Sequence, residues 1–244
     1  VTIKAILDVI LALDLKPVFV DIDNETLCFD FEGLKNAVNA NTKVALFTYL
    51  FGMVPDVKEM TDYLKGEDVF VVEDFSQCLD GEFDGKKVGT FGDVGIYSAS
   101  SIKTLDTFGG GILVSDNDDI VEILKHYQAS LTAVNRQLLV KTIITDLIRN
   151  IATTRFVFHF FTFPLIKIID YFKPASVIKH TGSRNKDMLN KLPGLWFCPY
   201  TSLQAKIGLK LLKSIENSNL MRIKNVELIK GNVKGINFPK GVLK

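Results

Sequence analysis

Residues 69–115 decide the fold of this chain. They contain the apolar run VFVVED at 69–74, the run DVGIYS at 93–98, a loop with Lys103, and the glycines GGG at 109–111, which lead into ILVS at 112–115. Strands this continuously apolar are typical of a sheet that is covered by helices on both faces. A lysine in the loop after one strand and a carboxylate at the end of another are features that belong to a site rather than to a core.

The segments around this region alternate between helical and extended patterns. We predict a hairpin turn at Asp84–Gly85. The periodicity predicts helices at 3–13, 30–40, 56–65 and 117–127, and strands at 17–21, 43–49, 68–73, 96–98 and 111–115. Such an alternation predicts an α/β fold with a mixed, mostly parallel sheet between helices.

The composition changes after about residue 130. Residues 131–172 are helical in pattern and very apolar, residues 173–199 are loop-like, and residues 201–230 form a long helical stretch. Because the chain opens at Val1 inside a helical pattern, we expect that sequence is missing at both ends.

The overall composition excludes several classes of protein. The 244 residues carry a net charge of +1, which favours neither nucleic acid nor an acidic surface as a partner. Three cysteines without C-x-x-C spacing argue against disulfides and zinc and favour a reducing compartment. The three histidines are scattered, so no metal site is expected. The reducing compartment predicts a cytoplasmic protein, with peripheral membrane association through residues 156–172 as the alternative.

Lys103 and Asp74 together suggest a site for pyridoxal phosphate (PLP). A lysine amine can form a Schiff base with PLP, and a carboxylate can keep the pyridine nitrogen protonated. Ser98 lies where a hydroxyl could bind the phosphate, and Gln77 could lie against the ring. Each residue also has a simpler interpretation: a surface lysine, a helix-capping carboxylate, a serine at a strand end and a solvated glutamine.

Ordered motifs in this chain resemble the DegT/StrS family of sugar aminotransferases, which are PLP enzymes of fold type I. The motifs are PVFVDID at 17–23, FG at 51–52, VEDFSQ at 72–77, GKKVGTFGD at 85–93, and YS at 97–98 followed by Lys103 and the glycines. The match is nearly continuous from Thr2 to about Asp118 and resumes weakly at residues 203–212.

The resemblance implies a role for each candidate residue. Lys103 would be the Schiff-base lysine, Asp74 the partner of the pyridine nitrogen, Gln77 a neighbour of the ring and Ser98 a phosphate ligand. A lysine at 103 speaks against the relatives that carry histidine there and act as dehydratases.

The resemblance also implies a reaction and an organisation. The substrate would be a nucleotide-linked keto sugar in amino-sugar biosynthesis, the amino donor glutamate or glutamine, and the assembly a homodimer. Residues 1–130 would form a partial PLP-binding large domain, 131–200 an apolar helical connection, and 201–244 the start of a small domain.

The chain departs from the family pattern at several places, including Phe108-Gly109-Gly110-Gly111 in place of the usual Gly-Glu-Gly-Gly. Ser100-Ser101-Ile102 replaces the usual His-Pro-Ser, and the usual Asn-Tyr-Arg is absent near Phe197-Cys198-Pro199. An alternative is therefore a non-catalytic relative that acts as a binding or regulatory subunit.

The apolar run from Phe156 to Ile166 has two interpretations. It is interrupted by Pro164 and is too short for a membrane span, which needs about 20 apolar residues. We favour a helix in residues 156–172 that packs on the core or in a dimer. The alternative is a helix that lies on a membrane surface.

Overall fold

The structure is a computed structural model that describes residues 3–131, 134, 136–172, 191–235 and 237–240. The chain divides into two compact units. The first contains Val1–Ile3, Pro17–Val134 and Phe197–Lys244, and the second contains Lys4–Lys16 and Asn135–Trp196. The division into three domains that the sequence suggests stays a prediction.

The first unit is built on a four-stranded sheet with the strand order β1-β2-β5-β6. The strands β1, β2 and β5 are parallel, and β6 pairs with β5 in the antiparallel sense. A short hairpin, β3–β4, turns at Asp84–Gly85, where both residues have positive φ, as a two-residue hairpin turn requires. The strands are β1 (Val44–Thr48), β2 (Phe70–Asp74), β3 (Glu82–Phe83), β4 (Lys86–Lys87), β5 (Val94–Ser98) and β6 (Gly111–Val114).

Nine α-helices lie within the described residues, together with short 3-10 helices at Leu50–Gly52 and Gly194–Trp196. The helices are α1 (Lys4–Ala12), α2 (Phe31–Ala37), α3 (Val57–Gly66), α4 (Asp118–Ser130), α5 (Arg136–Ala152), α6 (Arg155–Val157), α7 (Phe163–Phe172), α8 (Ser202–Leu212) and α9 (Ile215–Asn232). The predicted α/β fold is confirmed.

Local sequence explains where several helices begin. Asn117 accepts hydrogen bonds from the backbone N–H groups of Asp119 and Ile120 and so caps α4. Thr201 and Gln204 cap α8 reciprocally, each side chain bonding the other's backbone. Capping residues supply partners for N–H groups that have none within the helix.

The core of the first unit lies between the sheet and α3. Val57 and Leu64 of α3 and Val71 of β2 are fully buried, and Phe47 and Tyr97 are nearly so. Val71 and the other inward residues of β2 alternate with more exposed ones, so the core face of this strand is set by its period of two.

Three predicted elements need correction. The expected strand at 17–21 is absent: within the described residues this region shows only an isolated bridge between Ile22 and Phe29, so 17–21 lacks the neighbouring strand that a ladder requires. Helix α2 ends at Ala37 rather than 40. The single helix expected at 201–230 is two helices, because the chain turns at Ser214 between α8 and α9.

The second unit is helical. Helix α6 leads through a π-helical turn at Phe158–Thr162 into α7, so residues 155–172 are helical without interruption, as predicted for 156–172. Thr162 donates its hydroxyl to the carbonyl of Ala152 at 2.8 Å and so joins this stretch to the end of α5. Part of the predicted loop, 173–190, lies outside the described residues.

Candidate active site

Two parallel strands bring Asp74 and Ser98 to the same edge of the sheet. Asp74 is the last residue of β2 and pairs in register with Ile96 of β5, two residues before Ser98. In open α/β sheets, ligands bind at the carboxyl ends of the strands, where loops of several strands converge. The two candidate residues therefore lie where such a site is expected.

A row of hydrogen bonds runs from Asp74 to the loop of Lys103. The backbone N–H of Ser76 donates to Oδ1 of Asp74 at 3.0 Å, and the backbone N–H of Ser98 donates to Oγ of Ser76 at 2.8 Å. The hydroxyls of Ser98 and Ser100 lie 2.9 Å apart in a further hydrogen bond. Lys103 then donates its backbone N–H to the carbonyl of Ser100 at 3.2 Å. These bonds fix the relative positions of the carboxylate, the hydroxyls and the lysine loop.

The carboxylate of Asp74 is suited to hold a cationic nitrogen. Asp74 is 7% exposed, and its Oδ2 accepts no hydrogen bond from any residue that the structure describes. Buried carboxylate oxygens normally have a partner. A protonated pyridine nitrogen is a donor of the kind that Oδ2 lacks, so this residue fits PLP.

The side chain of Lys103 is half-buried, and its amine makes no hydrogen bond or ion pair with the described residues. The loop that carries it is anchored on both sides. Leu105 donates its N–H to the Tyr97 hydroxyl at 2.8 Å, and Thr107 donates its N–H to the carbonyl of Ala99 at 3.0 Å. An amine on a fixed loop, without a partner of its own, is suited to react with a ligand.

Side chains from α8, from α9 and from Tyr200, which precedes α8, also hold the loop of Lys103 by hydrogen bonds; we call these residues the clamp. Gln204 donates through Nε2 to the carbonyls of Thr107 and Gly109 at 3.2 and 3.1 Å. Tyr200 donates its hydroxyl to Oγ1 of Thr107, and Arg222 donates to Oγ1 of Thr104. The position of Lys103 therefore depends on residues about a hundred positions later in the sequence.

The backbone next to Lys103 is strained. Ile102 has a φ of 72° and its side chain is 85% exposed. A β-branched residue rarely adopts this left-handed conformation, which costs about 1–3 kcal/mol. The surrounding hydrogen bonds hold the loop in this shape in spite of that cost.

Gln77 lies on the surface, three residues after Asp74. Its Oε1 accepts a hydrogen bond from the backbone N–H of Phe51 at 3.1 Å, across to the turn that follows β1. Phe51 and Gly52 in that turn both have positive φ. Gln77 thus joins the loops after β1 and β2, and its place beside a PLP ring stays a prediction.

Glu73 lies immediately before Asp74 and is completely buried. It accepts hydrogen bonds from the Tyr49 hydroxyl at 2.5 Å, from the backbone N–H of Gly89 at 2.8 Å and from that of Gly92 at 2.6 Å. Burial, followed by the charge of Glu73, raises the pKa of Tyr49 far above its usual value, so the phenol remains a donor. Glu73 therefore fastens β1 and the 89–92 loop to β2.

The structure brings Asp74, Ser98 and the backbone of Lys103 into one connected row and leaves Gln77 at its border. Sequence reasoning missed Ser76, whose hydroxyl is the central link of that row, and the clamp residues Tyr200, Gln204 and Arg222. Ser76 lies inside the quoted motif at 72–77, which was the available signal. Gln204 likewise lies in the segment 203–212 where the resemblance resumes, whereas Tyr200 and Arg222 gave no signal because their partners are far away in sequence.

Comparison with known proteins agrees with this arrangement. The model of the DegT/DnrJ/EryC1/StrS aminotransferase family matches residues 1–142. The fold is that of an aminotransferase from Streptoalloteichus hindustanus, whose crystal structure superimposes with a TM-score of 0.63 at 17% identity, covering 98% of this chain and 54% of the other. The chain belongs to the DegT/DnrJ/EryC1/StrS family, as the sequence motifs suggested.

Individual relatives share part of their length with this chain. GDP-perosamine synthase of Escherichia coli O157:H7 is 31% identical over 121 residues, which are 50% of this chain and 33% of that protein. GDP-4-keto-6-deoxy-D-mannose 3-dehydratase of Escherichia coli O55:H7 is 37% identical over 106 residues, 43% of this chain and 27% of that protein. A crystal structure of a GDP-4-keto-6-deoxymannose-3-dehydratase variant with bound GDP-perosamine superimposes with a TM-score of 0.57 at 27% identity, covering 87% of this chain and 46% of the other. The chain thus spans about a third of the length of these curated relatives.

Proposed function

We propose that this chain carries the PLP-binding part of an enzyme that transfers an amino group to a nucleotide-linked keto sugar, with glutamate or glutamine as donor. The observation that carries the proposal is the hydrogen-bonded row from Asp74 through Ser76 and Ser98 to the Lys103 loop. The proposal is supported by a buried carboxylate whose Oδ2 has no hydrogen-bond donor among the described residues, and by two hydroxyls and the lysine loop that join it in this row.

Each residue of the row has a task in such a reaction. Bound PLP supplies an electron sink for the carbon from which a proton is removed. Asp74 would hold a proton on the pyridine nitrogen, and Ser98, with Ser100 beside it, would bind the phosphate through its hydroxyl. Lys103 would attach PLP covalently through its amine and, once displaced by the donor, would move a proton as general base and acid.

The relatives support the substrate class. Two of those compared above are named for GDP-linked deoxysugars. A further relative is named for L-glutamine and 2-deoxy-scyllo-inosose, which supports glutamine as the donor. Both aminotransferases and dehydratases are among the relatives, so similarity alone does not separate the two reactions. Lys103 favours transamination, because the amine can return a proton to the aminated carbon.

We also propose that the protein works as a homodimer, as the family resemblance implies. Sedimentation of the protein in its full natural length should give a dimer at micromolar concentration. An active monomer at that concentration would contradict this part of the proposal.

The deciding experiment is an absorbance spectrum of the full-length protein with PLP. We expect a band near the visible edge that disappears on borohydride reduction and leaves the label on Lys103. Transfer of an amino group from glutamate or glutamine to a keto sugar would then establish the reaction. Absence of both the band and the label would favour the alternative, a non-catalytic relative with a binding or regulatory role, for which the Ser100-Ser101-Ile102 flank and the missing Asn-Tyr-Arg speak.

A further inference from the structure

The helical stretch α5–α7 exposes an unusual amount of apolar surface. All six phenylalanines between 156 and 172 are exposed, among them Phe156 at 66%, Phe161 at 63% and Phe172 at 74%. Helix α5 likewise exposes Ile148 at 62% and Ile151 at 61%. Contiguous apolar surface of this kind marks an interaction site.

The exposed residues are not confined to one side of the helix. Phe160 and Phe161 are both exposed, and so are Ile168 and Ile169, although neighbours in a helix point about 100° apart. Phe161 and Phe163, which point about 200° apart, are exposed as well. A helix that is apolar on several sides is covered on several sides, either in the core of a large protein or by lipid.

The residues that are buried in these helices also favour contact with lipid. Among the described residues of α1, α5, α6 and α7 and of the π turn, the fully buried ones are two aspartates, Asp8 and Asp146. Asp8 is paired with Lys4 at 2.8 Å and Asp146 with Arg149 at 3.1 Å. Paired charges inside and apolar side chains outside reverse the order of a water-soluble bundle, and they are typical of helices in contact with lipid.

The charge of residues 136–172 and the lengths of their helices distinguish a contact with the membrane surface from a membrane span. Residues 136–172 contain five basic and two acidic side chains, so the stretch complements an anionic surface. No single helix of the described residues is long and apolar enough to cross a membrane; α5 and the stretch 155–172 pass that test only together, with a bend of 69° between them.

We propose that residues 136–172 lie in the interface of an anionic phospholipid bilayer, with their apolar side chains among the acyl chains and their basic residues at the headgroups. The stretch contains none of the residues proposed for the PLP site, and the proposal does not depend on the function proposed for that site.

The test is flotation of the full-length protein with vesicles of phosphatidylcholine alone or mixed with phosphatidylglycerol. The wild-type protein should float with the anionic vesicles and lose binding at high salt. The triple variant Phe158→Ser, Phe161→Ser and Leu165→Ser should bind at least about 100-fold more weakly, because each side chain loses its apolar contact with lipid. Its melting temperature should not fall.

The matched control replaces three exposed apolar residues of the first unit, Phe19→Ser, Ile123→Ser and Leu228→Ser, which are 67%, 68% and 62% exposed. These changes should leave flotation unaltered. A second measurement keeps the apolar surface: a tryptophan is placed in the stretch by Phe160→Trp, with Trp196→Phe removing the one in these 244 residues. Brominated lipids should quench the added fluorescence relative to Trp196→Phe alone.

Several results would overturn the proposal. One is absence of flotation with anionic vesicles together with absence of quenching. A second is equal binding to vesicles of phosphatidylcholine alone, which would show that binding does not need an anionic surface. A third is a lower melting temperature or a split dimer in the triple variant without vesicle binding, which assigns the surface to a protein contact. A fourth is release by detergent alone with the two flanks protected on opposite sides, which shows a span.

Discussion

Ser98 donates its backbone N–H to the hydroxyl oxygen of Ser76 at 2.8 Å, and this bond joins the carboxyl ends of β2 and β5. Ser76 in turn donates its N–H to Asp74, so the orientation of the carboxylate and the position of the Ser98 hydroxyl are coupled. A change at any one of the three should therefore be felt at the other two.

Replacement of Lys103 by alanine should abolish the covalent attachment of PLP, because within the proposed site no other amine takes its place. The visible-edge absorbance and the borohydride-fixed label should both vanish. The control Lys125→Ala, an exposed lysine on α4 that pairs with Glu122, should retain both. Full turnover in the Lys103 variant would end the proposal of an aminotransferase.

Replacement of Asp74 by asparagine should leave PLP bound but slow turnover by at least about 100-fold. The amide oxygen can still accept the N–H of Ser76, so the change removes the charge and preserves the row of hydrogen bonds. Single-turnover kinetics and the absorbance spectrum measure the two effects separately. If turnover survives within a few fold, Asp74 serves only as the partner of Ser76.

Replacement of Glu73 by alanine should lower the free energy of unfolding by more than about 3 kcal/mol, because a buried phenol and two backbone N–H groups lose their acceptor. Tyr49→Phe should cost about 1–2 kcal/mol. The exposed Glu82, which pairs with Lys87, is the control, and Glu82→Ala should cost less than about 1 kcal/mol. Urea denaturation compares the three; equal effects for Glu73 and Glu82 would refute the role of Glu73 as a fastener.

Replacement of Ile102 by glycine should stabilise the protein by about 1 kcal/mol, since glycine adopts the positive φ without strain. The same change at Ile123, an exposed position inside α4, should destabilise it by about 1 kcal/mol. Thermal unfolding distinguishes them. A loss of stability at both positions would contradict the prediction. It would show that the side chain of Ile102 stabilises the folded protein by more free energy than its positive φ costs.

The cysteines should differ in their reactivity toward alkylating reagents as the pH rises. Burial raises the pKa of Cys78 to about 11, and burial also raises the pKa of Cys28. Because the thiolate is the reactive form, Cys78 should stay protonated and unreactive through neutral pH and gain reactivity only near pH 11. The partly exposed Cys198 should react first.

The same pKa shift has a consequence for stability. The unfolded state releases the Cys78 proton near pH 9 and the folded state near pH 11, so its contribution to stability is full below pH 9 and is lost as the pH rises between these values. Mass spectrometry of the native protein after labelling at a series of pH values measures the order of reaction; early modification of Cys78 would contradict the prediction.

Much of the sheet could be predicted from the sequence because its signals are local. The apolar run before Asp74 and the Asp84–Gly85 turn each determine their structure within a few residues. The predicted strand at 17–21 failed for the opposite reason: an extended apolar segment becomes a strand only where another strand pairs with it. Patterning reports the preference of a segment but not the presence of its partner.

For the candidate site, too, the sequence predicts some features and not others. Asp74, Ser98 and Lys103 were found because they follow strands, where side chains at the sheet edge are exposed to ligands. The hydrogen bonds that Ser76 and Gln204 make could not be predicted. Neither a serine nor a glutamine carries a sequence pattern that tells which distant backbone group it bonds. The sequence left open whether Phe156 and its neighbours are packed or exposed, because an apolar helix has the same sequence in a core and on a surface.

The bonds from Gln204 to the carbonyls of Thr107 and Gly109 tie the loop of Lys103 to a residue that the ribosome adds about a hundred positions later. The bonds of the loop to Tyr97 and Ala99 can form before that residue is added, whereas the bonds from Gln204 can form only afterwards. A nascent chain that ends before residue 200 would contain every residue of the row from Asp74 to Lys103 and still lack these later contacts.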